Sequence, residues 1–234
     1  VARSGASLPV HGEPLLSHAV HGLLDSGCVD RIVVAGSARH RAARPLPTFD
    51  DDRVLFVADD GVTTGPGTVS QQDPPGEAAG PAQVSQHAFG TALRAAWTAA
   101  APGPDDVALV HDARRAFVPA SVVAAVVDAV RDGAPAAVPV EPVADTIKVV
   151  DAEGVVHGTR DRSLLRHAQT PVAVRAGGLD ELLTDDSGVT DVVELLTRLD
   201  GRARTVPGDP HGMCVRTPFD VAVIEALLST ENTA

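Results

Sequence analysis

The chain has 234 residues, 44% hydrophobic and 21% charged, an ordinary globular balance and enough length to bury one large α/β core. Its net charge of −12 argues against nucleic acid as the main partner, because gripping a phosphate backbone takes a broad basic face. No apolar run approaches the roughly 18 residues of a membrane span, and no basic-then-apolar leader is present; with only Cys28 and Cys214 there is no disulfide framework, so a reducing, cytoplasmic setting is expected.

The predicted elements alternate. Residues 13–27 read as a helix, with Leu15, Leu16, Ala19, Val20, Leu23 and Leu24 at three- and four-residue spacing and Gly27 as its stop. Residues 31–35 and 54–57 are apolar runs of strand length. Residues 59–83 are rich in Gly, Pro, Thr, Ser and Gln without apolar periodicity, and are expected to form a flexible insertion. A helix follows over 84–101, through Ala88, Phe89, Ala92, Leu93, Ala96 and Trp97, and then a strand over 107–110. The helix at 121–131 enters through Pro119 and closes at Gly133, and residues 136–140 form the next strand. Residues 146–150 and 155–157 flank Asp151-Ala152-Glu153-Gly154, a hairpin pattern with glycine in its turn. A helix over 190–199 has Thr190 as N-cap and Asp191 in its first turn. A strand at 204–206 precedes a last helix that starts at Thr217-Pro218. Strands separated by helices imply right-handed βαβ units and a mostly parallel sheet, here in a single domain over 1–234. The hairpin, at about 143–162, interrupts that series and is expected to project as an arm.

The strand over 107–110 breaks directly into His111-Asp112-Ala113-Arg114-Arg115-Ala116-Phe117. Open α/β sheets bind ligands just beyond the carboxyl ends of their strands. Asp112 suits a hard cation, and Arg115 suits bidentate binding of phosphate. A solvated loop after a strand is the competing reading. His111 is read as a packing or hydrogen-bonding residue rather than a metal ligand. Asp185-Asp186 near Asp191 reads as a solvated acidic loop. Lys148 is the only lysine in the chain.

Four signatures stand in order: His111-Asp112-Ala113-Arg114-Arg115; Asp145-Thr146-Ile147-Lys148; Thr159-Arg160-Asp161-Arg162; and Gln169-Thr170-Pro171. With their spacing and the hairpin between the second and third, they resemble the 2-C-methyl-D-erythritol 4-phosphate cytidylyltransferase family. Leu15-Leu16-Ser17-His18-Ala19-Val20 and Thr217-Pro218-Phe219-Asp220 resemble its first and last helices. The resemblance implies a Rossmann-like, three-layer α/β fold of the nucleotide-diphospho-sugar-transferase type with a projecting β-hairpin arm. It implies homodimers whose arms reach the neighbouring subunit. It also implies a reaction in which CTP and a polyol phosphate, with Mg2+, give a cytidine diphospho-alcohol and pyrophosphate for non-mevalonate isoprenoid synthesis. Asp112, the expected metal residue, and Arg115 match the family's catalytic pair. Thr146, Arg162, Thr170 and Thr190 match residues on the polyol-phosphate side. On chemistry alone, Thr146 also fits strand filler, Arg162 a solvated charge, Thr170 a turn residue before proline, and Thr190 a plain helix cap.

The sequence departs from the family on the triphosphate side. Val1-Ala2-Arg3-Ser4-Gly5-Ala6-Ser7 carries no Pro-Lys pair, and Cys214 stands at the position of a late family lysine, with Arg216 two residues on. The segment 82–89, which aligns with a nucleotide-contact segment, has Ala88-Phe89 in place of Ser-Val. Val172 replaces a usual glutamine, and Asp191-Val192 a usual aspartate pair. Losing one preorganised charge donor typically costs about 10²–10³ in rate. Two functions are therefore expected from the sequence: a cytidylyltransferase with a divergent triphosphate site, or a catalytically impaired paralogue that binds a ligand or partner as a dimer.

Overall fold

A computed structural model describes residues 8–36, 49–58, 63–64, 81–184, 189, 192–199 and 201–231. Short strands β1 (Pro9–Val10) and β2 (Glu13–Pro14) form a hairpin that leads into helix α1 (Leu15–Asp25). Helix α1 buries Leu15, Ala19 and Val20, its periodic apolar face. Gly27, at φ +68°, follows its last turn, where the left-handed conformation favours glycine. Strand β3 (Ile32–Gly36) pairs in parallel with β4 (Val54–Ala58), and β5 (Thr63–Thr64) pairs antiparallel with β4.

The second sheet positions the site. Strand β6 (Val107–Val110) pairs with β11 (Val172–Arg175), which pairs with β7 (Ala136–Pro142). Strand β12 (Ala203–Pro207) takes the other edge of β7 in parallel. Strand β10 (Arg166–Ala168) pairs with the end of β7, along the edge whose beginning β11 occupies. Since β11 is antiparallel to both β6 and β7, those two and β12 run the same way. The expected parallel set is present, and the reversed β10 and β11 are additions that the sequence pattern did not disclose. A cis Thr170–Pro171 bond lies between them.

Helices cover both faces, which makes three layers. Val172 and Val174 face a core with Val110, Ala136, Val138 and Leu179, while Ala173 and Ala137 face Val126 and Val130 on the opposite side. Period-two alternation thus splits one short strand between two cores. Helix α3 (Ala120–Arg131) covers the second face, and Gly133, at φ +101°, follows it. Helices α2 (Pro81–Ala100), α4 (Ala176–Thr184) and α5 (Val192–Arg198) contribute to the first. A cavity of about 680 Å³ opens between β3 and β6, where Val33 and Ala35 face Val107 and Leu109. Neither strand has a partner on that side among the described residues.

A third cluster anchors the loops of the site. Val10, Leu15 and Ala19 pack with Ala116, Val215 and Ile224. Ile224 belongs to the last helix, α6 (Pro218–Glu231), which begins where Thr217-Pro218 predicted. The hairpin is present as a separate two-stranded sheet, β8 (Ile147–Val150) with β9 (Val156–Arg160), and every residue of both strands is exposed. Asp151 closes its turn by accepting from the N–H groups of Glu153 and Val155, with Gly154 at φ +83°. The expected flexible insertion at 59–83 falls outside the described residues, except that β5 occupies 63–64 and α2 begins at Pro81. Asp185-Asp186, Thr190 and Asp191 also lie outside them. Among the described residues no helix is long and apolar enough to cross a membrane.

Candidate active site

Strand β6 ends at buried Val110, and the chain turns at once, with Arg115 N–H donating to the Asp112 carbonyl at 2.8 Å. That turn sends the two arginines in different directions. Arg114 grips Asp112: its Nε donates to Oδ1 at 2.9 Å and its Nη2 to Oδ2 at 2.6 Å. The Arg114 backbone N–H adds a third bond to Oδ1, at 3.0 Å. Burial pushes the Asp112 carboxyl up, but the Arg114 bonds outweigh it and hold the group below the usual carboxylate range. The sequence reading paired Asp112 with Arg115 as joint ligand groups. In the structure Arg115 reaches instead to two backbone carbonyls, Gly212 at 2.6 Å and Ala168 at 3.2 Å. It ties the loop at 208–217 to the end of β10.

Thr170 is buried beneath the same turn. Its hydroxyl accepts from Asp112 N–H at 3.1 Å and lies 3.0 Å from His111 Nδ1. Burial pushes the His111 pKa down to about 4, so the ring is neutral at physiological pH. The Thr170 hydroxyl and Nδ1 share one hydrogen bond, whose direction follows the tautomer of the neutral ring. Thr170 therefore fixes the angle at which Asp112 leaves the strand. His111 is the hydrogen-bonding residue that the sequence suggested.

Gln169 does similar work on the other side. Its Nε2 donates to Glu141 Oε2 at 2.6 Å and to the Asp209 carbonyl at 2.8 Å, and its Oε1 accepts from Asp209 N–H at 3.1 Å. A Cβ at Gly208 or Gly212 would come within 2.5 and 2.8 Å of Gln169 Oε1, so both positions must stay bare for the clamp to close. Past this clamp lie Cys214 and Arg216, with Arg216 Nε 3.2 Å from Cys214 Sγ. The sequence reading used Gln169 only as a motif letter and left Arg114 and Arg216 out of its site. A glutamine in a three-residue link between two strands, beside Thr170 and Pro171, was the available signal for the first.

Asp112, Arg114, Arg115, Thr170, Cys214 and Arg216 thus belong to one connected group. Thr146 and Arg162 are a second, unlinked group at the open end of the arm, where Arg162 donates to the Ala144 carbonyl and both residues are exposed. No hydrogen bond or ion pair among the described residues joins the two groups. Nor do the described residues contain a cluster of three or more His, Cys, Asp or Glu suited to hold a metal. A single carboxylate is nonetheless compatible with Mg2+, which commonly keeps several waters and takes only one or two carboxylates beside substrate phosphates. Arg114 already places two bonds on each Asp112 oxygen, from its backbone N–H and Nε on Oδ1 and from Nε and Nη2 on Oδ2, so a metal there would share the carboxylate in competition with Arg114.

A sequence profile described as 2-C-methyl-D-erythritol 4-phosphate cytidylyltransferase matches residues 90–230. The chain is 42% identical to the enzyme of that name from Saccharopolyspora erythraea, over 96% of this chain and 90% of the relative. It is 37% identical to that from Nocardia farcinica, over 95% and 85%. This chain belongs to the 2-C-methyl-D-erythritol 4-phosphate cytidylyltransferase family. It is accordingly a nucleotidyltransferase. The fold agrees: a crystal structure of the cytidylyltransferase from Thermus thermophilus superimposes with a TM-score of 0.68 at 23% identity, over 96% of this chain and 94% of the other. A 4-diphosphocytidyl-2C-methyl-D-erythritol synthase superimposes equally well, with a TM-score of 0.68 over 95% and 94%. Within the family fold, the carboxyl end of β6 carries a carboxylate gripped by Arg114, and the arm carries Thr146 and Arg162.

Proposed function

We propose that this protein joins CTP to 2-C-methyl-D-erythritol 4-phosphate, releasing pyrophosphate, with CTP held at the end of β6 and the polyol phosphate met by the arm. The carrying observation is the arrangement where β6 ends: Arg114 grips Asp112, Arg115 is fastened beside it to the Gly212 and Ala168 carbonyls, and Val215 N–H joins the segment that carries Arg216 to the Arg114 carbonyl. An oxygen of the polyol phosphate attacks the α-phosphorus of CTP, and the bond from that phosphorus to the bridging oxygen of pyrophosphate breaks. The nucleophile is already anionic, so no proton must move, and catalysis consists of positioning and of stabilising charge on the leaving group. When bound, Mg2+ would be held by Asp112 and would neutralise charge on the phosphates. Arg114 keeps Asp112 ionised and oriented. Arg115 uses two of its five N–H donors on backbone carbonyls and keeps three for phosphate oxygens.

On the arm, Thr146 offers a hydroxyl and Arg162 a planar fork suited to the phosphate of the polyol. Thr190 is a further expected contact, while Thr170 acts through the position of Asp112. We assign the protein as a homodimer in which each arm serves the neighbouring site. Support comes from the arm's exposed apolar residues, among them Val150 at 55% and Val156 at 58% exposure, which no described residue covers. Two free cysteines support a reducing, cytoplasmic setting. The test is pyrophosphate release from CTP, 2-C-methyl-D-erythritol 4-phosphate and Mg2+. Release that requires both substrates supports the assignment, and none above background overturns it.

A further inference from the structure

We propose that Arg216 is a further triphosphate-binding residue of this reaction, supplying the free positive charge on the loop at 208–217 where the chain has Cys214. The inference rests on the reaction assigned above and adds a residue to its site. Val215 is fully buried against Val10, Leu15 and Ile224, and its N–H donates to the Arg114 carbonyl at 2.8 Å. Segment 214–216 therefore runs alongside the loop that carries Asp112. With Val215 turned inward, residues 214 and 216 share the opposite side. The 3.2 Å bond from Arg216 Nε to Cys214 Sγ places the guanidinium over the thiol.

The backbone beneath Arg216 is held firmly. Asp220 Oδ2 accepts from Arg216 N–H at 2.9 Å, Thr217 N–H at 2.8 Å and the Thr217 hydroxyl at 2.9 Å. In return Asp220 N–H donates to Thr217 Oγ1 at 3.2 Å, a reciprocal cap on α6. The side chain is exposed and makes no ion pair among the described residues, and of its five donors only Nε is committed to them.

Charge singles out this residue. Arg114 is neutralised by Asp112, and Arg115 is fastened to carbonyls, whereas Arg216 keeps an unpaired fork. Arg114, Arg115 and Arg216 stand on two joined loops that carry two carboxylates, Asp112, gripped by the Arg114 fork, and Asp220, which accepts from backbone and hydroxyl donors beneath Arg216. Arg216 and Arg115 repel one another, which adds to the burial that already lowers the Arg115 pKa. Asp112 offsets part of that repulsion, and an entering polyanion would offset more. A triphosphate carries the charge to relieve it, and guanidinium forks match its oxygens.

The experiment compares R216A, R216K and the double variant R216A/C214K with the wild-type protein in steady-state turnover and in melting temperature. R216A is expected to raise KM for CTP about tenfold or more, as for loss of a charge-assisted contact. KM for the polyol phosphate and the melting temperature should barely move. R216K should recover part of the loss, and C214K in the R216A background should recover part from the neighbouring position. An unchanged KM for CTP in R216A overturns the proposal. A parallel rise in both KM values with a lowered melting temperature also overturns it, since that marks a structural role. Calorimetric titration with CTP and Mg2+ gives the same comparison without turnover. A wild-type protein that binds CTP through Arg216 but releases no pyrophosphate would refute the assigned reaction and not this residue's role.

Discussion

Replacing Gln169 by leucine tests whether the buried clamp organises the site. Gln169 is only 2% exposed, and its amide makes three bonds, one of them to the Glu141 carboxylate. Each neutral bond contributes about 0.5–1.5 kcal/mol net and the charged one about 1.5–3 kcal/mol, and leucine leaves all three partners unsatisfied. Burial of the new methyl groups offsets about 1 kcal/mol of that loss. The net expectation is a destabilisation of about 3 kcal/mol. In a chain of this size that lowers the melting temperature by about 6–12 °C, read by calorimetry or thermal circular dichroism. Turnover should fall as well, because the freed segment leads to Cys214 and Arg216 and provides the carbonyl that anchors Arg115. A shift below 2 °C would show that the loop holds itself in place and that the clamp reasoning is mistaken.

Other outcomes follow from the same geometry. Asp112→Asn should lower kcat by about 10²–10³ while the protein stays folded, measured by pyrophosphate release; retained turnover would remove Asp112 from the chemistry. Gly90→Ala should lower stability by about 1–3 kcal/mol in urea titration, because its Cβ would fall 2.6 Å from the Val189 carbonyl oxygen. Neutral stability would mean that the helix yields at no cost. The double variant Val149→Asp with Val156→Asp should shift sedimentation from dimer to monomer, and an unchanged mass would locate the interface elsewhere. His111 gives a pH signature: its folded pKa is about 4 against 6.5 unfolded, so the unfolded chain takes up a proton first. Its contribution is complete above about pH 6.5 and declines as pH falls toward 4, by about 3 kcal/mol in all. His111→Gln should flatten that slope in urea titrations between pH 7 and 5, and identical slopes in the two proteins would exclude His111 as its source.

Periodicity revealed the elements whose burial it controls. The helix at Leu15–Asp25 sits where three- and four-residue spacing put it, although Glu13–Pro14 at its expected start is a short strand, and Ala120–Arg131 sits where Pro119 and Gly133 bound it; a left-handed glycine follows each. It failed where burial and pattern part company. Val172–Arg175 is four residues long and divides its side chains between two cores, so it presents no single apolar face. Helix Ala176–Thr184 opens on Ala-Gly-Gly, a poor helix start that packing of Leu179 and Leu183 overrides.

The site was legible as a location and less so as a wiring diagram. A run of apolar residues ending in charge marks the carboxyl end of a strand, and Asp112 does stand just beyond Val110 at the end of β6. Which arginine holds it depends on a single turn, since Arg115 N–H bonding back to the Asp112 carbonyl throws consecutive side chains apart. Chain order cannot separate Arg114 from Arg115, because both are cations one residue apart. Arg216 was hidden for the opposite reason, lying 102 positions from Arg114 in sequence and reaching it only through a backbone bond from Val215. The polar residues that bind least obviously do the most positioning. Thr170 and Gln169 face inward, and their hydrogen bonds set the directions in which the charged groups face outward. Substitutions at such buried positions should therefore alter substrate binding without ever touching substrate, which is why a site read from charged residues alone is incomplete.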